Sequence, residues 1–303
     1  MSFNLSVLTR DFAICATDRR LTRPMGEIVT ERSNKLTLFH CADGHGFITY
    51  CGIGSDFRWR TPSDWIADMP ELGGKTIEEM AAVIKADADR RLAVLARGGV
   101  DVRHCFVMGG FQLAVPFALL ISNFDSLDGE ELSEASPTLS ISGKMMNVAS
   151  DSLHPHLVVA TGAKPRHPMR IKVRLVPQIK AGASAKTLRR LIVKTVRDVA
   201  YQDNRKASVG SSVQSVVIAR NGSHDIAGHI PGGSSLLEGP NMVGPNIAVR
   251  DMYIDISDEP KWRYDPEIGK AKIEEIACLN CGSPVPEGYH LCGICSSPVR
   301  PRP

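Results

Sequence analysis

The sequence predicts an α+β protein in which β-hairpins and long amphipathic helices form packed layers. Short apolar segments rich in strand-forming residues occur in pairs, and turn residues separate the members of each pair. Two long segments repeat apolar residues at spacings of three and four, which is typical of a helix with one face on a sheet. The length of 303 residues, with 43% hydrophobic and 23% charged residues, suits one large core and an appendage.

Paired strand segments are predicted along most of the chain. The first two flank Arg10-Asp11 and the next two flank Asp43-Gly44, which are turn sequences. Pro116 removes a backbone donor, so its strand is predicted to be an edge or bulged strand. The predicted strands are 4–9, 12–17, 35–40, 46–51, 102–109, 113–122, 157–162, 170–176, 212–219 and 224–229, and 252–256 is one more candidate.

Helices are predicted where caps precede amphipathic segments. Thr61 and Pro62 open the first helix. Residues 76–97 form the clearest helix, with a capping box between Thr76 and Glu79, and residues 184–202 form another. The order of strand pairs and helices therefore gives a layered α+β domain.

The charge balance by itself does not indicate a nucleic acid or a membrane as a partner. The net charge is +3 with a pI of about 8.4, and no stretch approaches the roughly 20 apolar residues of a membrane span. The first residues lack a basic region followed by an apolar run, so the expected location is the cytoplasm. Arg170, Lys172 and Arg174 alternate along a segment expected to be extended. A solvated edge strand, an acidic partner and a nucleic acid backbone all fit this alternation, although nucleic acid lacks support from interleaved aromatic residues.

The eight cysteines fall into two groups. Cys15, Cys41, Cys51 and Cys105 stand singly in apolar segments and are interpreted as small buried residues. The other four form two CxxC pairs, CLNC and CGIC, separated by ten residues near the C-terminal end of the sequence. This spacing predicts a closed structural zinc site, and a redox dithiol pair is the alternative. The predicted zinc ligands are Cys278, Cys281, Cys292 and Cys295.

Ser2 is a candidate nucleophile at the start of the chain. A serine hydroxyl needs a base, and a terminal α-amine, whose pKa lies near 7.7–8.0, can act as one after Met1 is removed. A lysine that lowers the barrier to the alkoxide and a carboxylate that orients it complete such a site. Lys35 and Asp18 stand at predicted strand ends and supply these groups.

The pattern of Ser2, Asp18 in TDRR and Lys35 in NKL resembles the β-subunits of proteasomes, which are N-terminal nucleophile hydrolases. This resemblance spans roughly residues 2–230. It implies that Gly52 of CGIG supplies an amide to the oxyanion hole. It also implies supporting roles for the Thr161-Gly162 pair, with threonine in place of the family's serine, for Asp203, and for Ser208 or Ser211.

The resemblance implies a four-layer αββα sandwich in residues 2–230. The change of composition after it predicts an extension at 231–272, and the CxxC pairs predict a zinc ribbon at 273–299. It also implies a peptidase that acts within a homo-oligomeric ring or barrel on peptides or unfolded proteins, with any ATPase unfoldase on a separate chain. A small-molecule amidase of the same superfamily is one alternative. A catalytically inactive assembly or docking protein is another. The ribbon either stabilises the tail or docks a partner.

Overall fold

The structure, a computed structural model, describes most of the chain up to residue 229 and short segments beyond it. The described residues are 2–22, 28–31, 33–55, 60–127, 134–146, 155–163, 168–202, 209–229, 236–238, 240–244, 247–249, 253–255, 261–263, 275–277 and 284–286.

Strands and helices alternate in the order predicted for a layered α+β protein. The helices are α1 (Pro62–Ala67), α2 (Ile77–Arg97), α3 (Pro168–Lys180) and α4 (Ala185–Gln202), with a 3-10 turn at Pro70–Gly74. The strands are β1 (Phe3–Thr9), β2 (Phe12–Asp18), β3 (Leu21–Thr22), β4 (Ile28–Thr30), β5 (Leu36–His40), β6 (Gly44–Gly52), β7 (His104–Gln112), β8 (Val115–Ser122), β9 (Ser140–Met145), β10 (His156–Gly162), β11 (Val213–Ala219), β12 (His224–His229), β13 (Leu236–Glu238), β14 (Asn241–Gly244), β15 (Ile247–Val249), β16 (Tyr253–Asp255), β17 (Lys261–Arg263), β18 (Glu275–Ala277) and β19 (Pro284–Pro286).

Two large sheets dominate the described part of the chain. The first sheet has the order β10-β1-β2-β11-β12, and all its pairs are antiparallel. The second has the order β15-β14-β5-β6-β7-β8-β9, in which β14 runs parallel to β5. The predicted α+β class is therefore confirmed.

Three apolar clusters arrange these elements in four layers. The central cluster joins the facing sides of the two sheets, with Cys15 from the first and Phe47 from the second. A second cluster packs α1 and α2 on the outer side of the second sheet, where Ile84 meets Phe106 in one core. A third packs α3 and α4 on the outer side of the first sheet. The layers are thus helix, sheet, sheet and helix.

The helix starts form as the caps predict. Thr61 and Asp64 make a capping box at α1. At α2, the Glu79 amide donates to Thr76 Oγ1 at 3.3 Å and the Thr76 amide donates to Glu79 Oε2 at 2.9 Å. Each pair satisfies two backbone donors that a helix start leaves open, which fixes where the helix begins.

The prediction of an extended segment at 170–176 is wrong, because α3 covers it. Ile171, Leu175 and Ile179 are buried at a spacing of four, whereas Val173 is 66% exposed. Charged and apolar residues alternate over 170–175, and this local alternation imitates a strand. The helical period becomes clear only from which residues are buried against the sheet. The basic residues of this segment therefore lie on a helix and not on an edge strand.

The prediction of an edge or bulged strand at Pro116 is also wrong, because β8 lies between β7 and β9 and pairs with both in an unshifted register. Its pairing with β9 begins at Phe117, one residue after the proline. The Met146 amide donates to the Pro116 carbonyl at 2.9 Å. The carbonyl of Pro116 is therefore hydrogen-bonded, and the strand lacks only the N–H that proline does not have. Proline is tolerated here because it stands at the end of the ladder.

The predicted extension contributes strands to the fold. Within 231–272, β14 lies beside β5 in the second sheet, and β16 lies in the segment predicted as a strand at 252–256. Cys278, Cys281, Cys292 and Cys295 lie outside the described residues, so the zinc site stays a prediction.

Candidate active site

Asp18 ends β2 and is fully buried. Its Oδ1 accepts from the Phe3 amide at 2.8 Å, and its Oδ2 accepts from the amides of Arg20 and Gly210, each at 3.1 Å. An ionised carboxylate only accepts hydrogen bonds, and amides from three parts of the chain converge on this one. Asp18 is therefore held in one orientation by the backbone.

Lys35 precedes β5 and its side chain is fully buried beside Asp18. Its Nζ contacts three oxygens, which are Ser2 Oγ at 2.5 Å, Asp18 Oδ2 at 3.1 Å and the Arg20 carbonyl at 2.5 Å. The structure thus brings together the three residues predicted to form the catalytic centre, with Lys35 between the hydroxyl and the carboxylate.

Burial lowers the pKa of Lys35, because its ammonium loses water, and the nearby negative charge of Asp18 acts in the opposite direction. Cys51 and Glu31 also lie close enough to favour the charged form. A lysine with a lowered pKa has a larger neutral fraction at a given pH, and a neutral amine can accept a proton from a hydroxyl.

Ser2 lies just before β1 and is 6% exposed. Its carbonyl accepts from the Ala163 amide at 2.8 Å. Gly162 has φ +89°, and a Cβ there would stand 2.1 Å from the Ser2 carbonyl oxygen. The glycine of the predicted Thr161-Gly162 pair therefore allows the end of β10 to approach the backbone of Ser2.

Gly52 ends β6, opposite His104 of β7. Its φ is +105°, and a Cβ would stand 2.1 Å from the Arg103 carbonyl oxygen. Only glycine fits this conformation without strain. A Cβ at Gly162, beside the Ser2 carbonyl, would also stand 3.2 Å from Cys51 Cβ, so the turn at Gly52 lies at the same end of the two sheets as Ser2.

Thr161 lies opposite Asn4 in the pairing of β10 with β1. Asn4 Nδ2 donates to Thr161 Oγ1 at 3.4 Å. The described contacts of this threonine thus join strands next to Ser2, and its predicted support of the nucleophile stays a prediction.

Two predicted site residues, Asp203 and Ser208, lie outside the described residues. Ser211, the alternative to Ser208, is described, and its carbonyl accepts from Arg197 Nε at 3.2 Å. In this segment the Gly210 amide contacts Asp18. The sequence did not reveal that amide or the amide of Phe3, because a backbone donor leaves no mark in the residue type.

Neither a metal-binding cluster nor a membrane-spanning helix is found in the part of the chain that the structure describes. Among these residues, no group of three or more His, Cys, Asp or Glu side chains could hold a metal ion. Across the same part of the chain, no helix is long and apolar enough to cross a bilayer.

Comparisons with known proteins found similarity at the level of structure. No family model matches the chain, and no curated protein matches it significantly. The Gly-1 mutant of Anbu from Hyphomicrobium sp. strain MC1 aligns with a TM-score of 0.48 and 11% identity, covering 76% of this chain and 86% of that one. Anbu from Yersinia bercovieri, described as an ancestral beta-subunit, aligns with a TM-score of 0.45 and 13% identity, covering 74% and 82%. The functional assignment therefore depends on the geometry of the site.

Proposed function

We propose that this protein is a hydrolase of the N-terminal nucleophile type that cleaves amide bonds with Ser2. One observation carries the proposal: Lys35 Nζ contacts both Ser2 Oγ and the Asp18 carboxylate in a buried site. A nucleophile within reach of a base, with the base oriented by a third group, is the arrangement that activates a hydroxyl.

In the proposed first step, neutral Lys35 accepts the proton of Ser2 Oγ while this oxygen attacks the amide carbonyl carbon. The new ammonium is stabilised by Asp18 at 3.1 Å. The carbonyl oxygen becomes an oxyanion, for which the amide of Gly52 is the proposed donor. The turn at Gly52 suits this role because it directly follows Cys51, which lies beside Gly162 and so close to Ser2.

In the second step, the C–N bond breaks and the leaving nitrogen receives a proton, which leaves an ester on Ser2. The α-amine of Ser2, freed when the preceding peptide bond is cleaved, is the proposed carrier of that proton, through a water molecule. Its usual pKa near 7.7–8.0 suits exchange at neutral pH. Water then attacks the ester carbonyl carbon and gives a proton to the α-amine. This proton passes to Ser2 Oγ as the C–O bond breaks, which regenerates the hydroxyl and releases the acid product.

The proposed substrate is a peptide or an unfolded protein, and the proposed assembly is a homo-oligomeric ring or barrel served by a separate ATPase. These features follow from the resemblance to proteasome β-subunits, which the helix–sheet–sheet–helix layering supports. A closed ring in solution favours the peptidase, whereas a dimer with an open cleft favours the small-molecule amidase. The C-terminal CxxC pairs are proposed to hold one structural zinc ion.

The test is an intact mass and peptide map before and after treatment with a β-lactone, whose ring opens on a nucleophilic hydroxyl. We expect a chain that begins at Ser2 and a single adduct on that residue. Ser2→Ala should carry no adduct. Ser6→Ala removes another buried serine, which lies in β1 just after Ser2, and should leave labelling intact. A retained residue before Ser2 with no adduct would reject the enzyme and favour an assembly or docking protein.

A further inference from the structure

A buried polar cluster lies between the two sheets, directly behind Ser2. It consists of Asn4, Thr17, Thr49 and Thr161, of which the most exposed is only 3% accessible. Thr17 Oγ1 donates to Asn4 Oδ1 at 2.6 Å, Thr49 Oγ1 donates to the same oxygen at 3.4 Å, and Asn4 Nδ2 donates to Thr161 at 3.4 Å. Asn4 is therefore the centre of the cluster.

The cluster joins the two sheets at the level of the candidate active site. Asn4 pairs with Thr17 of β2 and Thr161 of β10 within the first sheet, whereas Thr49 belongs to β6 of the second. Strand β10, which carries Thr161, also packs on β7 of the second sheet. Since successive side chains of a strand alternate, Ser2 and Asn4 face the same side.

The catalytic residues are divided between the sheets in the same way. Ser2 and Asp18 belong to the first sheet, and Lys35 and Gly52 flank strands of the second. Backbone hydrogen bonds fix the register within each sheet, but apolar packing between sheets is non-directional. Hydrogen bonds between the sheets are directional, so they can specify one relative position.

We infer that Asn4 is a positioning residue that fixes the two sheets relative to each other, so that Ser2 Oγ stays within reach of Lys35; its catalytic meaning rests on the proposed function. Burying an amide is unfavourable unless it is hydrogen-bonded, and here three threonine hydroxyls bind the Asn4 amide. A leucine of similar size would make none of these bonds. The Asn4 amide thus makes directional hydrogen bonds, whereas an apolar residue at this position would only fill the space.

The experiment compares the wild type with Asn4→Leu, Thr49→Val and the matched control Ser6→Ala. Ser6 follows Asn4 on the same face of β1 and is also buried. Crystal structures give the separation of Ser2 Oγ and Lys35 Nζ, and β-lactone labelling gives the maximal acylation rate and the apparent affinity separately. Every protein is assayed well below its own Tm.

For Asn4→Leu we expect a separation beyond hydrogen-bond distance and an acylation rate lower by roughly 10- to 100-fold, with the apparent affinity unchanged. Thr49→Val should show a smaller loss, and the double variant should lose no more than Asn4→Leu alone, because both act through one contact. Ser6→Ala should match the wild type.

An unchanged separation and acylation rate in Asn4→Leu would overturn the inference, as would an equal loss in Ser6→Ala. If Asn4→Leu does not fold, Thr49→Val decides, because it is nearly isosteric and alters only the contact between sheets. If the wild type is not acylated, the proposed function fails. The separation of the two atoms still tests the positioning role in that case.

Discussion

The amide of Gly210 donates to the Asp18 carboxylate at 3.1 Å, although 192 positions separate the two residues. The same carboxylate contacts Lys35 and accepts from the amide of Phe3. The orientation of Asp18 therefore depends on segments from the beginning and the end of the two-sheet domain, and it is complete only when β11 has joined β2.

Gly210→Ala is expected to disturb this orientation. A Cβ at Gly210 would stand 2.7 Å from Arg20 Cβ and 2.8 Å from Glu31 Oε2. Such overpacking should lower the free energy of unfolding by about 1–3 kcal/mol and slow acylation of Ser2. Urea unfolding and β-lactone labelling measure the two effects. Gly74→Ala is the control because a Cβ there meets nothing within 4 Å.

The acylation rate of Ser2 should rise with pH and level off below the usual lysine pKa of 10.5, because burial lowers the pKa of Lys35. The neutral amine is the form that accepts the proton, so the rate follows its deprotonation. Asp18→Asn removes the charge that raises this pKa and should move the rising part of the profile to lower pH. A profile that Asp18→Asn leaves in place would show that another group, such as the α-amine, controls the rate.

His104→Phe should make the protein less sensitive to acid. His104 is fully buried among Tyr50, Trp65 and Phe106, and burial lowers its pKa from 6.5 to about 3. Because the unfolded chain binds the proton from pH 6.5 downward and the folded chain does not, the wild type loses stability as the pH falls from 6.5 to about 3.

At pH 5 this loss is about 2 kcal/mol, at 1.36 kcal/mol per pH unit. Urea unfolding at pH 7.5 and pH 5 should show that His104→Phe removes a loss of this size, and the exposed His40→Phe should not. His229 has a pKa lowered to about 4, mainly by burial, so part of the acid sensitivity should remain. Equal acid sensitivity of His104→Phe and the wild type would contradict this account.

Substitutions in α3 distinguish the helix from the strand that the sequence favoured. Leu175 is fully buried and Val173 is 66% exposed. Leu175→Ala should therefore lower the free energy of unfolding by about 2–5 kcal/mol, whereas Val173→Ala should change it by less than about 0.5 kcal/mol. In a strand, both side chains would face the same side, so similar losses at the two positions would argue against the helix.

Purified protein should contain about one zinc ion per chain, because four thiolates with CxxC spacing form a closed tetrahedral site. Cys278→Ser should release most of the metal, as measured by elemental analysis. Cys15→Ala is the control, since Cys15 is buried in the core between the sheets. Unaltered zinc content in Cys278→Ser would reject the predicted site.

Much of the site was predictable because its three side chains carry unusual residue types at strand ends. Ser2, Asp18 and Lys35 each interrupt or bound an apolar segment, and the structure brings all three together. The cluster around Asn4 was not predictable in this way. From sequence alone, a single polar residue in a strand is predicted to face solvent. Only the tertiary structure shows that the second sheet covers Asn4.

The sequence by itself determined the hairpins and the two capped helices α1 and α2, because these depend on local periodicity and side-chain chemistry. With the resemblance to proteasome β-subunits, it also indicated the candidate nucleophile, the lysine beside it and the orienting acid. The tertiary structure decided that residues 168–180 form a helix, that β8 has neighbours on both sides, and that backbone amides hold Asp18. Each of these depends on contacts between segments far apart in the chain, and local sequence does not record which surfaces will meet.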